Sequence, residues 1–209
     1  MDYVMTGLKN VLTYIDDVLC HDRSHETHLR TLEQVFLRLR RYGLKLNADK
    51  SIFGAAEVQY LGYTINAEGV TLSKDKFAAI RDFPMPTTIR NVREFVGLVN
   101  YFRFLIPHFN RLTEPLTRLT RKEINWQGGK LPPTAATAFN TLREALCSAP
   151  VVEHPKKDDR FILRSDAALG DKDNAGGFGA VLLQKRPDGR EAVIAYASRP
   201  LKDHEKNYS

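Results

Sequence analysis

The sequence predicts an α+β fold, and three observations carry that reading. Residues 11–20, VLTYIDDVLC, set strand-forming Val, Leu, Tyr and Ile on both sides of two aspartates, the pattern of a tight hairpin. Residues 74–122 break into helical segments at Pro84, Pro86 and Pro107. The last third holds three strand-like runs, residues 161–165, 178–184 and 192–197. At 209 residues, 43% hydrophobic and 27% charged, the chain has a globular composition and room for one or two domains.

Each element has a local reason. Asp16 and Asp17 fall at or beside the turn of the first hairpin. Ser24 can cap a helix reaching to about Arg41. Leu29, Leu32, Phe36 and Leu39 form one apolar stripe on it, expected to pack in the core, and Gly43 supplies the stop. Residues 44–46 read as a short strand. Residues 58–65 and 70–72 read as a second hairpin turning at Asn66-Ala67-Glu68-Gly69, with Gly62 open to a reading as a plain strand bulge.

The helices expected next span about 74–83, 89–105 and 110–121. Thr88 caps the middle one, Asn110 opens the last, and Pro115 lies near that helix's first turn. Phe95, Leu98, Val99 and Phe102 share a face, so a three-helix bundle is expected, with Tyr101 and Phe102 in its core. Residues 123–155 read as loop, helix (134–147, with Phe139, Leu142 and Leu146 on one side) and loop. Pro187-Asp188-Gly189 turns the chain between the last two strands. The segment boundaries expected are therefore 1–73, 74–122, 123–155 and 156–209.

The net charge of +6 is uneven. Residues 74–122 hold 10 Lys/Arg against 4 Asp/Glu, and the flanking segments are close to neutral. Such a segment is either a phosphate-tracking surface or a solvated helical face. Arg90, Arg93 and Arg103, in or beside the middle helix, are the candidates for contact with a duplex backbone. Cys20 and Cys147 are widely separated and fit no metal spacing, as expected of free thiols in a reducing compartment. An intracellular protein is expected, cytoplasmic or nuclear, because the sequence has neither a signal core nor a run approaching 18 apolar residues.

Two adjacent carboxylates repel each other, so Asp16-Asp17 is comfortable only in open water or beside a cation. A hard divalent ion such as Mg2+ needs such an oxygen cluster to orient phosphates in phosphoryl or nucleotidyl transfer. A solvated Asp-Asp turn is the alternative. Gly176, Gly177 and Gly179 lack the Lys-Ser/Thr pair and the following helix of a nucleotide loop. His21, His25 and His28 cluster near a helix start, but no fourth zinc ligand stands nearby, and solvent-facing histidines are expected.

In its motifs the chain resembles the reverse transcriptase of gypsy-class long-terminal-repeat retrotransposons, followed by the start of a ribonuclease H domain. The motifs are Tyr14-Ile15-Asp16-Asp17, Leu44-Lys45-Leu46-Asn47, Tyr60-Leu61-Gly62-Tyr63, Phe95-Val96-Gly97-Leu98, Asn100-Tyr101-Phe102-Arg103, Ala149-Pro150-Val151, Asp166-Ala167, Gly179-Ala180-Val181-Leu182 and Ile194-Ala195-Tyr196-Ala197-Ser198-Arg199, in that order. The resemblance implies a partial palm of β-hairpins plus helix (1–73), a helical thumb (74–122), a connecting segment (123–155) and the first strands of a ribonuclease H-like domain (156–209).

The resemblance further implies that Asp16, Asp17 and Asp166 are catalytic metal ligands for Mg2+. Tyr60, Leu61 and Gly62 would form a primer grip. The partners implied are an RNA–DNA hybrid or DNA duplex and deoxynucleoside triphosphates, with no membrane. The segment 169–175 makes the connection after Asp166 about six residues longer than the family spacing, which puts the placing of that aspartate in doubt.

In the family a third polymerase aspartate and the fingers precede the hairpin, and further ribonuclease H carboxylates follow Ser209. The 209 residues are therefore expected to be a truncated piece that is catalytically incompetent alone. The competing expectation is a non-catalytic or co-opted remnant that binds nucleic acid through its basic thumb.

Overall fold

A computed structural model describes residues 1–149, 151–169, 176–202 and 204–205. The chain divides into two compact units, Met1–Ala56 and Glu57–Ser209.

In the first unit, α1 (Asp2–Met5) leads into a hairpin of β1 (Val11–Tyr14) and β2 (Asp17–Cys20), then α2 (His25–Arg41). The strands pair antiparallel from Val11–Cys20 to Tyr14–Asp17. Ser24 caps α2 as expected: its Oγ accepts from the Thr27 amide at 3.2 Å, and its own amide donates to Thr27 Oγ1 at 3.3 Å. Gly43, at φ +67°, ends the helix. The amides of Gly43 and Leu44 bond back to the carbonyls of Arg40 and Leu39 at 3.2 and 2.9 Å, which satisfies two carbonyls of the last turn. Arg38 Nη1 reaches the carbonyls of Val4 and Thr6 and ties α1 to α2.

The buried core of this unit is Met5, Val35 and Leu39, lined by Met1, Val4, Leu8, Val11, Val18 and Cys20. The stripe expected in the core is only partly there. Leu39 is buried, whereas Leu29 and Phe36 are exposed, because α1 and the hairpin cover the face of α2 that carries Val35. Residues 44–46 form no strand; they pair with no neighbouring ladder, and a lone extended segment is not a sheet.

The second unit opens with β3 (Glu57–Tyr60), β4 (Tyr63–Asn66) and β5 (Val70–Leu72), an antiparallel sheet in that order. Gly62 is not a bulge. Leu61 and Gly62, at φ +50° and +80°, form a two-residue turn of the type whose twist suits a hairpin, and the run expected as one strand is itself a hairpin. The expected Asn66–Gly69 turn joins β4 to β5. Gly69 is obligatory there, since a Cβ would come 2.2 Å from the Val152 carbonyl oxygen.

Four helices follow: α3 (Lys74–Arg81), α4 (Ile89–Asn100), α5 (Phe109–Arg118) and α6 (Pro133–Cys147). Ser73 and Thr88 cap α3 and α4. The bundle is not closed by three helices. Ile80, Phe95, Val99, Phe102, Leu116, Phe139, Leu142 and Leu146 belong to one buried cluster, and the Phe95 and Phe139 rings lie 4.4 Å apart. The helix of the connecting segment thus completes the bundle. Phe102 is fully buried as expected, but Tyr101 is half exposed. Pro115 sits inside α5 rather than in its first turn.

The final sheet has β6 (Phe161–Ala168), β7 (Gly177–Lys185) and β8 (Glu191–Pro200) in sequence order, all antiparallel. It joins the bundle through Ser198, which accepts from Arg103 Nη2 with its carbonyl and from the Asn110 amide with its Oγ, the latter at 3.1 Å. The β4–β5 sheet is joined too: Val70 and Val152 exchange backbone bonds at 2.8 and 3.2 Å, and Tyr63 and Leu72 pack on the helical core. These contacts are why the units part at Ala56–Glu57, inside the segment read from sequence as 1–73. The lengthened connection expected over residues 169–175 lies, beyond Leu169, outside the described residues.

Candidate active site and nucleic-acid surface

In the first unit, the β1–β2 hairpin presents Ile15 and Asp16 as its two turn residues. Ile15 has φ +53°, a region β-branched residues avoid, at a cost of about 1–3 kcal/mol. Its side chain gains little burial in return, being 70% exposed. The turn fixes Asp16 at the tip and Asp17 as the first residue of β2, opposite Tyr14. Both aspartates are exposed. Magnesium suits such a donor set, because it keeps several waters and takes one or two carboxylates plus substrate phosphates. Among the described residues no group of three or more His, Cys, Asp or Glu gathers as a metal cage.

In the second unit, the Leu61–Gly62 turn is held from outside its own sheet. Tyr101 Oη donates to the Leu61 carbonyl and Tyr63 Oη donates to the Tyr101 carbonyl, both at 2.9 Å. The two tyrosine rings stack at 5.4 Å. Burial, followed by the neighbouring Tyr101, pushes the Tyr63 hydroxyl well above the ordinary tyrosine range, so it stays a donor. A Cβ on Gly62 would press against Lys76 Cγ and Cε at 3.3 Å. Beside the turn, Leu61, Lys76, Leu98, Tyr101 and Phe102 line a shallow groove of about 310 Å³. Tyr60 closes the hairpin opposite Tyr63.

The three arginines differ in what holds them. Arg90 is exposed and pairs with Glu94 at 2.9 Å, one turn along α4. Arg93 Nη2 donates to the Thr120 carbonyl at 3.4 Å. Arg103 is engaged with the Ser198 carbonyl and lies over the Phe109 ring, 5.9 Å from its centre. Arg90 and Arg93 share a face of α4, whereas Arg103 is part of the joint to β8. Asp166 stands exposed on β6, across from Gly179, which in turn pairs with Ser198. Its Oδ1 accepts the Ala167 amide at 2.9 Å.

Two polar constructions escape the sequence reading. Asp22, just past β2, is enclosed by Asn10, Thr31 and His28, with a side chain 1% exposed. Arg186 is nearly as buried and fans out to Asp159 at 2.8 Å, Glu153 at 2.9 Å and the His154 carbonyl at 3.0 Å. Gln184, fully buried beside it, takes the Lys156 amide and donates to the Lys156 carbonyl, both at 2.8 Å. Together they fasten residues 153–159 to the end of β7. The pairing of distant residues leaves no mark in spacing; only the polar residues at the end of an apolar strand run hinted at it.

Residues 1–65 match the family described as reverse transcriptase (RNA-dependent DNA polymerase). Residues 131–209 match the RNase H-like domain found in reverse transcriptase. The retrovirus-related Pol polyprotein from transposon opus of Drosophila melanogaster is 34% identical over 94% of this chain, which spans 20% of that protein. The transposon Tf2-3 polyprotein of Schizosaccharomyces pombe is 32% identical over 96% of the chain, which spans 14% of it. Among solved structures, a foamy viral protease-reverse transcriptase in complex with double-stranded DNA covers the whole chain with a TM-score of 0.79 at 22% identity, over 35% of its own length. The same viral protein in complex with an RNA/DNA hybrid superposes with a TM-score of 0.78.

Proposed function

We propose that the chain is part of the reverse transcriptase and ribonuclease H-like region of a retrotransposon polyprotein, a reading its partial family matches and its relatives support, and that Asp16 and Asp17 are metal ligands of a nucleotidyl-transfer site. The observation that carries this is the turn itself. A β-branched residue is held in a left-handed conformation at the tip of a hairpin, and the strained turn presents two adjacent carboxylates to solvent. A two-residue hairpin turn takes a positive φ at that position in any case, and glycine would supply it without the penalty that Ile15 carries.

Asp16 and Asp17 would hold Mg2+, which supplies charge neutralisation at the reacting phosphates. The chain's own part is to aim those carboxylates and to place a primer. The Leu61–Gly62 turn, with Tyr60 behind it, offers backbone to the primer strand, held in place by Tyr101. Arg90 and Arg93 on α4 offer positive charge to a duplex backbone, with Arg103 behind them at the joint to β8. That a structurally similar viral protein was solved on double-stranded DNA and on an RNA/DNA hybrid supports the same class of partner here. Deoxynucleoside triphosphates are the co-substrate on this reading. Asp166 would be one carboxylate of a ribonuclease H site acting on the RNA of a hybrid.

The order and spacing of the motifs favour the gypsy class of long-terminal-repeat elements. Among the described residues no helix is long and apolar enough to cross a membrane, and an intracellular place of action, in cytoplasm or nucleus, goes with the reading. The test is a manganese titration of the 15N-labelled chain with a primed RNA–DNA template present. Broadening should centre on the amides of Asp16 and Asp17 and vanish in Asp16→Asn/Asp17→Asn. Broadening spread over other carboxylates, or none, overturns the reading. The 209 residues tested alone should bind the template without extending it, since a single carboxylate pair does not set two metals in line.

A further inference from the structure

We propose that Asp22 is a positioning residue, which fixes the Tyr14–Asp17 turn by tying both ends of the hairpin to the first turns of α2. Asn10 directly precedes β1 and Asp22 lies two residues past β2. Asp22 Oδ1 accepts from Asn10 Nδ2 at 2.8 Å and from Thr31 Oγ1 at 3.1 Å, and Oδ2 lies 3.3 Å from His28 Nδ1. The His21 amide bonds to the Asn10 carbonyl at 3.0 Å beneath them. One carboxylate therefore closes the open end of the hairpin and fastens it to the helix.

The apolar core of the unit does not explain this arrangement, because Met5, Val35 and Leu39 bury their surface without it. A carboxylate with 1% of its side chain exposed persists only when donors replace its water, and three donors converge here. Its charge reaches the hairpin as well: burial, then Asp22, raises the Cys20 thiol above its ordinary value. Asn10 stands at φ +61°, a shape asparagine tolerates better than most residues.

The need for such a clamp follows from the strands. The hairpin has four residue pairs, and an isolated two-stranded hairpin is marginal in water. Ile15 would relax from its left-handed conformation unless the strands below it were fixed. Side-chain packing through Val11, Val18 and Cys20 fixes their faces. The Asp22 contacts fix their ends.

The inference rests on the nucleotidyl-transfer reading only for what the turn is for, and the test separates the two. Amide hydrogen exchange in the full chain would compare wild type with Asp22→Asn, Asp22→Ala and Asn10→Asp/Asp22→Asn. In Asp22→Ala the paired amides of residues 11–20 should exchange at least about tenfold faster while the central amides of α2 keep their protection. Asp22→Asn, which keeps the volume, serves as the readout if the alanine variant fails to fold, and it should show a smaller loss of the same pattern. The swapped pair should restore part of it. The half-saturating manganese concentration at Asp16 should rise with the loss of protection. A uniform loss over residues 1–56, or an unchanged hairpin, overturns the proposal. If the hairpin responds as expected but wild type shows no manganese broadening, the clamp stands and the nucleotidyl-transfer reading fails.

Discussion

Ile15 and Glu205 show how much can depend on one residue. Ile15 carries strain without compensating burial, so Ile15→Gly should stabilise the first unit by up to about 1 kcal/mol, the left-handed penalty less the added freedom of glycine in the unfolded chain. Urea denaturation followed on the α2 signals would measure it, and a destabilised variant would show that the side chain is packed after all. The same variant should bind manganese more weakly if the strain serves to aim the aspartates. Glu205 makes the opposite case, a charge held in its ionised form. Arg199 grips it with two bonds of 2.7 Å and the Lys202 amide adds one at 2.8 Å, which together lower its carboxyl to about 2. A depressed carboxyl contributes stability that is fully present above the unfolded value and lost as pH falls through the folded one. Carbon-detected titration should find Glu205 still ionised at pH 3, and Arg199→Met should return it toward the ordinary glutamate range.

Among the elements, α4 concentrates the electrostatic question. It carries Arg90 and Arg93 on one face, and the salt bridge from Arg90 to Glu94 is an exposed pair of the kind worth little. A phosphate can therefore displace Glu94 at small cost. If α4 meets a duplex backbone, the affinity for an RNA–DNA hybrid should fall with salt, with a log–log slope of about −3 to −4.5 for three to five neutralised phosphates. Arg90→Gln/Arg93→Gln should flatten that slope by about 2, because each lost contact removes roughly one. Lys156→Gln/Lys157→Gln, outside the bundle, should change it much less. Fluorescence anisotropy at several salt concentrations decides, and equal losses from the two pairs would reduce α4 to a solvated face. Arg103 is a poorer probe, since its replacement would loosen β8 as well.

At the scale of the whole molecule, α6 ties the second unit together. Phe139, Leu142 and Leu146 are buried against residues of α3, α4 and α5, and the bundle has no closed core without them. Phe139→Ala should cost about 3–5 kcal/mol. The loss should appear in the thermal or urea transition of residues 57–209 and leave the hairpin and α2 signals of the first unit in place, since the two units have separate cores. A loss shared equally by both would show that they fold as one.

The sequence by itself determined the local features. The aspartate turn, the caps at Ser24 and Thr88, the stop at Gly43 and most of the helices and strands follow from short-range propensity and periodicity, which neighbouring residues encode. Asp16 and Asp17 stand out as candidates because two adjacent carboxylates in a strand-flanked turn suggest metal chemistry, whereas Asp166 is a candidate only through the family resemblance. Tertiary structure alone decided which apolar face of α2 is covered, that Leu61–Gly62 is a turn clamped by Tyr101, that α6 closes the bundle, and that Arg103 serves a joint. Only it placed Asp22 and Arg186 among their partners. Burial and pairing depend on residues tens of positions apart, as Arg103 and Ser198 are, and no local pattern records which of them will meet.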